Sequence, residues 1–85
     1  MNEYRIEIRI TPREGLLDPE GNAVRNALRS LEFSEVSSLR MGRLIQLMLP
    51  APSPEAARER VEAMCRQLLA NPVTENYEIL LDNIS

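Results

Sequence analysis

Histidine, lysine and tryptophan are all missing from this 85-residue chain, and cysteine occurs once, at Cys65. Without His or Lys there is no imidazole to relay protons, no amine for a Schiff base and no phosphate-loop lysine. A single thiol makes neither an internal disulfide nor a thiolate metal cluster, so no metal site is expected and a reducing, cytoplasmic setting fits. Aromatics are reduced to Tyr4, Phe33 and Tyr77. Any core must therefore be mostly aliphatic. The three glycines, Gly15, Gly21 and Gly42, form no phosphate-cradling run. An excess of positive charge is missing too: ten basic residues, all Arg, stand against thirteen acidic ones, for a net charge of -3. That balance opposes nucleic-acid binding. The longest apolar-rich stretch, residues 44–49, is broken by Gln46 and is far shorter than the roughly 20 residues that cross a bilayer. The chain also opens on Met-Asn-Glu rather than on a basic region leading into an apolar run. No membrane partner is expected.

What remains reads as one domain over residues 1–85. A chain of this size buries only roughly 60 to 65% of the surface it exposes unfolded, so its core is modest and self-association would help it. Residues 4–11 alternate, with Ile6, Ile8 and Ile10 on one face and Arg5, Glu7 and Arg9 on the other, and Pro12 ends this half-buried strand. Gly15 permits a turn, and Leu16 and Leu17 are placed to tuck the loop onto the core. Asp18-Pro19-Glu20 starts a helix by cap, fixed φ and favourable dipole charge. Its apolar side is Ala23, Val24, Ala27, Leu28 and Leu31. Gly21 in the first turn lowers helix propensity, which points to a packing or loop-contact role there. Residues 35–49 read as a hairpin of two strands around Gly42. Ser53-Pro54-Glu55 starts a second helix, running to about Asn71, with the stripe Ala57, Val61, Met64, Cys65 and Leu68. Residues 77–84 return to the sheet. The expected class is α+β, a two-layer β-α-β-β-α-β sandwich whose four-stranded, largely antiparallel sheet carries both helices on one face. The other face needs cover where Leu44, Ile45, Leu47 and Met48 crowd both sides of one strand, so these four are the expected oligomer interface.

Catalytic candidates are few. Cys65 lies on an apolar helix stripe with no base to activate it, which makes it a small buried hydrophobe. Asp18 and Glu20 are explained by helix initiation. Arg40 and Arg43 flank Gly42, and two guanidinium groups around a tight turn can grip a carboxylate or phosphate; the competing reading is a charged hairpin tip that keeps an edge soluble. Arg25 and Arg29, one turn apart on the polar face, read as a solvated surface.

The run Leu17-Asp18-Pro19-Glu20-Gly21-Asn22-Ala23-Val24, then Ala27-Leu28, Glu35-Val36 and Arg40-Met41-Gly42-Arg43, resembles the PurS family. So do Met64-Cys65, the run from Leu68 through Val73, and Glu75-Asn76-Tyr77. Members often carry Lys where this chain has Arg13 and Arg43, which keeps the charge and changes donor geometry. The resemblance implies a small non-catalytic subunit of phosphoribosylformylglycinamidine synthase in purine biosynthesis, a complex that uses ATP, magnesium and glutamine. It implies PurL-type amidating and PurQ-type glutaminase partners, bridged by a homodimer or homotetramer that assists ammonia transfer, with no cofactor of its own. Asp18, Gly21, Arg40, Gly42 and Arg43 are then the expected partner- or anion-binding residues. The alternative is a stand-alone ferredoxin-like regulatory domain that binds a small anionic effector through Arg40 and Arg43.

Overall fold

Alternation of Ile6, Ile8 and Ile10 with Arg5, Glu7 and Arg9 builds the central strand. In the computed structural model, which describes residues 1–13 and 18–84, β1 (Asn2–Pro12) pairs antiparallel on both edges. Its neighbours are β2 (Arg43–Ala51) and β3 (Glu75–Asn83), giving the order β2-β1-β3. Register sets Ile8 beside Ile45 and Ile79, and Ile6 beside Leu47 and Leu81, so these chains share one face. Arg5, Glu7 and Arg9 share the opposite face with Leu44, Gln46, Met48, Leu80 and Asp82. Pro50 costs the sheet little because β2 is an edge strand.

Helix α1 (Pro19–Ser30) starts where Asp18 accepts from the Gly21 amide. It ends with Phe33 N–H bonded to Leu28 O and Glu32 N–H to Arg29 O, the paired closure that uses a left-handed residue just past the helix. That residue is Glu32, at φ 73°. Helix α2 (Pro54–Met64), capped by Ser53, continues into a π-helical turn over Cys65–Leu69. The inner face, α2 and the π-helical turn with its closing residue supply the core: Tyr4, Ile6, Ile8, Ile10, Ala51, Ala57, Val61, Cys65 and Ala70. Tyr4 is its one aromatic member, so the core is mostly aliphatic.

Three expectations are corrected. The sheet has three strands among the described residues, not four: residues 36–42 join no ladder. The reason is local, since Arg40 and Met41 bond to the Pro12 carbonyl and the Asp18 side chain, and Gly42 leads straight into β2 rather than turning between strands. The two helices do not share a sheet face either. Only α2 packs on the sheet; α1 has no packed interface with it, and Gly21 is the helix's one buried residue. Leu68, expected on the α2 stripe, is 83% exposed. The wider π-helical turn shifts the phase, so that Leu69 rather than Leu68 follows Cys65 against the core. The turn expected at Gly15 and the docking of Leu16 and Leu17 lie outside the described residues.

Candidate docking site at one end of the sheet

The segments that stand out in the sequence are far apart along the chain, and antiparallel pairing brings them to one pole. There β1 ends while β2 and β3 begin, with Arg43 beside Ile10 and Glu75 beside Pro12. Asp18 is divided between two tasks: Oδ1 accepts from Gly21 N–H at 3.0 Å, and Oδ2 accepts from Met41 N–H at 3.1 Å, across 23 residues. A Cβ on Gly21 would collide with that second oxygen. The missing side chain is thus what lets the carboxylate lie over the helix start and reach the returning chain. Gly42 has a similar role, since a Cβ there would run into the Ile10 carbonyl.

Arginines complete the pole, each donating to a distant backbone carbonyl. Arg13 Nη2 reaches Pro72 O at 2.6 Å, Arg40 Nη1 reaches Pro12 O at 2.8 Å, and Arg43 Nη2 reaches Leu69 O at 3.1 Å. Arg43 also donates to both Glu75 carboxylate oxygens, at 2.8 and 3.0 Å. Glu75 in turn accepts from the Asn71 amide at 2.8 Å, and this bond, with the nearby guanidinium, holds its pKa below the ordinary glutamate value against a smaller opposing effect of burial. A guanidinium has five N–H donors, so Arg13 and Arg40, both exposed, keep donors for an incoming carboxylate or phosphate.

All five expected partner- or anion-binding residues, Asp18, Gly21, Arg40, Gly42 and Arg43, meet at this pole, though not at a hairpin tip. Sequence reasoning missed the partners of Arg43 and the contribution of Arg13. Nothing in residue spacing links position 43 to 75; only the register through β1 does. The expected interface residues divide by face: Leu44 and Met48 project outward, 58% and 53% exposed, whereas Ile45 and Leu47 are half-buried on the inner face. Cys65 is fully buried, and burial with the neighbouring Glu62 charge pushes its thiol pKa up, the wrong direction for a nucleophile. Among the described residues no group of three or more Cys, Asp or Glu could hold a metal ion, and no helix is long and apolar enough to cross a membrane.

An edge-exposed three-stranded sheet, a helix held off it and a pole of arginines tied to backbone carbonyls define a class first: a small α+β chain. The comparisons then say which. A family model described as PurS, phosphoribosylformylglycinamidine (FGAM) synthase, matches residues 5–83. The phosphoribosylformylglycinamidine synthase subunit PurS of Synechocystis is 43% identical over 89% of this chain and 76% of its own length. That of Methanocaldococcus jannaschii is 36% identical over 95% and 98%. Its crystal structure superposes with a TM-score of 0.84, covering 96% of this chain and 99% of that one at 35% identity. A chain in the structure of PurLQS from Thermotoga maritima gives a TM-score of 0.86 at 33% identity, over 99% and 100%. This chain belongs to the PurS family, the PurS subunits of phosphoribosylformylglycinamidine synthase.

Proposed function

We propose that the chain is a non-catalytic bridge in phosphoribosylformylglycinamidine synthase, acting in the cytoplasm as a homodimer or homotetramer between PurL-type and PurQ-type subunits. The observation that carries this reading is the full-length match to a chain of the Thermotoga maritima PurLQS structure. The residue inventory supports it, because ATP, magnesium and glutamine chemistry needs groups that this chain lacks. Those reactants belong to the partners. The exposed donors of Arg13 and Arg40 are the contact to a partner's carboxylates, while Arg43, already held by Glu75, serves the framework. That engagement of Arg43 also weighs against a stand-alone anion-binding regulator.

Reconstitution tests the bridge. With PurL-type and PurQ-type subunits supplied, adding this chain should raise glutamine-dependent synthesis and leave ammonia-dependent synthesis by the large subunit unchanged, because external ammonia bypasses the glutaminase. Glutamine-dependent turnover at full rate without this chain would refute the proposal.

A further inference from the structure

Apart from Met1, the two most exposed large apolar side chains among the described residues are Leu68 and Val73, at 83% and 76%. Both stand on the short segment between α2 and β3, at the pole that gathers Arg13, Arg40 and Arg43. A single exposed leucine or valine is ordinary on a protein surface. What marks this pair is how firmly the backbone beneath it is held. Leu68 faces water because the π-helical turn over Cys65–Leu69, closed by Ala70 N–H on Cys65 O at 3.1 Å, shifts the helical phase. Val73 faces water on a loop with no slack. Every amide from Ala70 to Glu75 is bonded within the chain: that of Asn71 to Glu75 Oε1, that of Val73 to Asn71 Oδ1, and those of Thr74 and Glu75 to Asn71 O, while Pro72 has none. Arg13 clamps the loop twice, by its backbone N–H on Thr74 O at 3.0 Å and by Nη2 on Pro72 O at 2.6 Å. Arg43 holds Leu69 O at 3.1 Å. The apolar pair is therefore presented in one fixed arrangement, which a partner meets at little ordering cost.

The cations beside the pair are unbalanced. Glu75 neutralises Arg43, and Asp18 spends its two oxygens on the Gly21 and Met41 amides. Arg13 and Arg40 form no ion pair among the described residues, although the chain as a whole is acidic. Their order on the surface follows from their bonds. Arg13 is tied to the residue before Val73, and Arg40 to the residue before Arg13, so the apolar pair leads into two anchored guanidinium groups.

We infer that Leu68 and Val73, flanked by Arg13 and Arg40, are the surface on which a different subunit of the complex docks, through an apolar recess rimmed by carboxylates. This rests on the proposed bridging role and deepens it, by adding the apolar anchors that the arginines flank. A second copy of the chain does not fit here. A two-fold contact at this pole sets Arg13 and Arg40 against their own counterparts, and like charges facing one another repel. An acidic rim balances them instead, while Leu68 and Val73 supply the buried apolar centre that the contact needs.

The test titrates the full-length chain into PurL-type and PurQ-type subunits and reads the concentration that gives half-maximal glutamine-dependent synthesis. L68S/V73S alters two side chains that already face water, so its circular dichroism and the sedimentation mass of the isolated chain should match the parent's. Its half-maximal concentration should rise about tenfold or more. Each single substitution should move the same titration in the same direction. R13Q/R40Q should raise it too, and should depend less steeply on salt than the parent, because the screened charges are gone. Half-saturation of L68S/V73S at the parent's concentration overturns the docking surface and leaves the bridge standing. A changed mass of the isolated L68S/V73S chain also overturns it, because the segment then joins copies of this chain. A parent that gives no stimulation at any concentration removes the bridge, and the surface with it.

Discussion

Replacing Gly21 by Ala should change sign according to what stands at position 18. In the first turn of a helix, Ala is favoured over Gly by up to about 1 kcal/mol. Here the added methyl meets the Asp18 carboxylate oxygen that holds Met41 N–H, so that carboxylate must swing away. Loss of the cap costs about 0.5–2 kcal/mol, and loss of the bond to Met41 costs about 0.5–1.5 kcal/mol more. G21A alone should then destabilise the chain by up to about 2.5 kcal/mol once a gain of about 1 kcal/mol in helix propensity is subtracted. In a D18A background the clash is gone. The same substitution should stabilise there by about 0.5–1 kcal/mol, which makes the coupling between the two sites roughly 1–3 kcal/mol. Urea unfolding of the four proteins, followed by circular dichroism at one fixed protomer concentration, measures the cycle. Stabilisation by G21A in both backgrounds, with no coupling, would show that Asp18 does not bridge the helix start to the returning chain.

The acid side of the pole gives a pH test. Because the folded-state pKa of Glu75 is lowered, its contribution is present above the unfolded carboxylate pKa and lost as pH falls through the folded one. Glu75→Gln should therefore be less stable than the parent at neutral pH, with the gap closing below the ordinary glutamate range in thermal melts across pH. Arg40→Ala should cost no more than about 1 kcal/mol, the worth of one hydrogen bond, yet lower glutamine-dependent synthesis by the reconstituted complex more than ammonia-dependent synthesis. Equal rates for parent and variant would limit Arg40 to its bond with Pro12. Glu32→Gly should stabilise the end of α1 by up to about 1 kcal/mol, because a non-glycine residue at positive φ gives way to the residue that adopts it freely. A lower melting temperature for that variant would contradict the closure described for the helix. Ile8→Val, at the centre of the core, should cost about 0.5–1.5 kcal/mol in the same urea series.

Elements with a local cause were legible in the sequence. Strand β1 declared itself through strict alternation, and both helices through an Asp or Ser followed by Pro and Glu. The fourth strand did not follow, because β propensity around residues 35–41 was outweighed by tertiary bonds that use Arg40 and Met41 elsewhere. Leu68 was misplaced because an ideal helical period hides a five-residue turn closed by the bond from Ala70 N–H to Cys65 O. That α1 leaves the sheet was illegible for a different reason. An amphipathic pattern shows that a helix has an apolar side, not which chain covers it. For the site, Arg40, Gly42 and Arg43 were singled out by residue type and spacing, and Asp18 and Gly21 joined them through the family resemblance. Their true connections, to Met41, Pro12, Leu69 and Glu75, depend on register and long-range closure.

The bonding pattern at the pole gives each of these residue types a structural task. Asp18, Arg13, Arg40 and Arg43 all bond to backbone atoms of other segments, and Gly21 and Gly42 are the positions where a side chain would break those approaches. Most substitutions leave these backbone atoms in place, so the specificity rests on the side chain that reaches them and on the space left for it. Moving one of these residues does not delete a reactive group; it changes the direction in which the α1 arm leaves the sheet. An arm of 12 helical residues multiplies a small change of angle at its base into a displacement of several ångströms at Leu31 and Phe33, given about 1.5 Å of rise per residue. The bonds at this pole therefore fix where the α1 arm leaves the sheet.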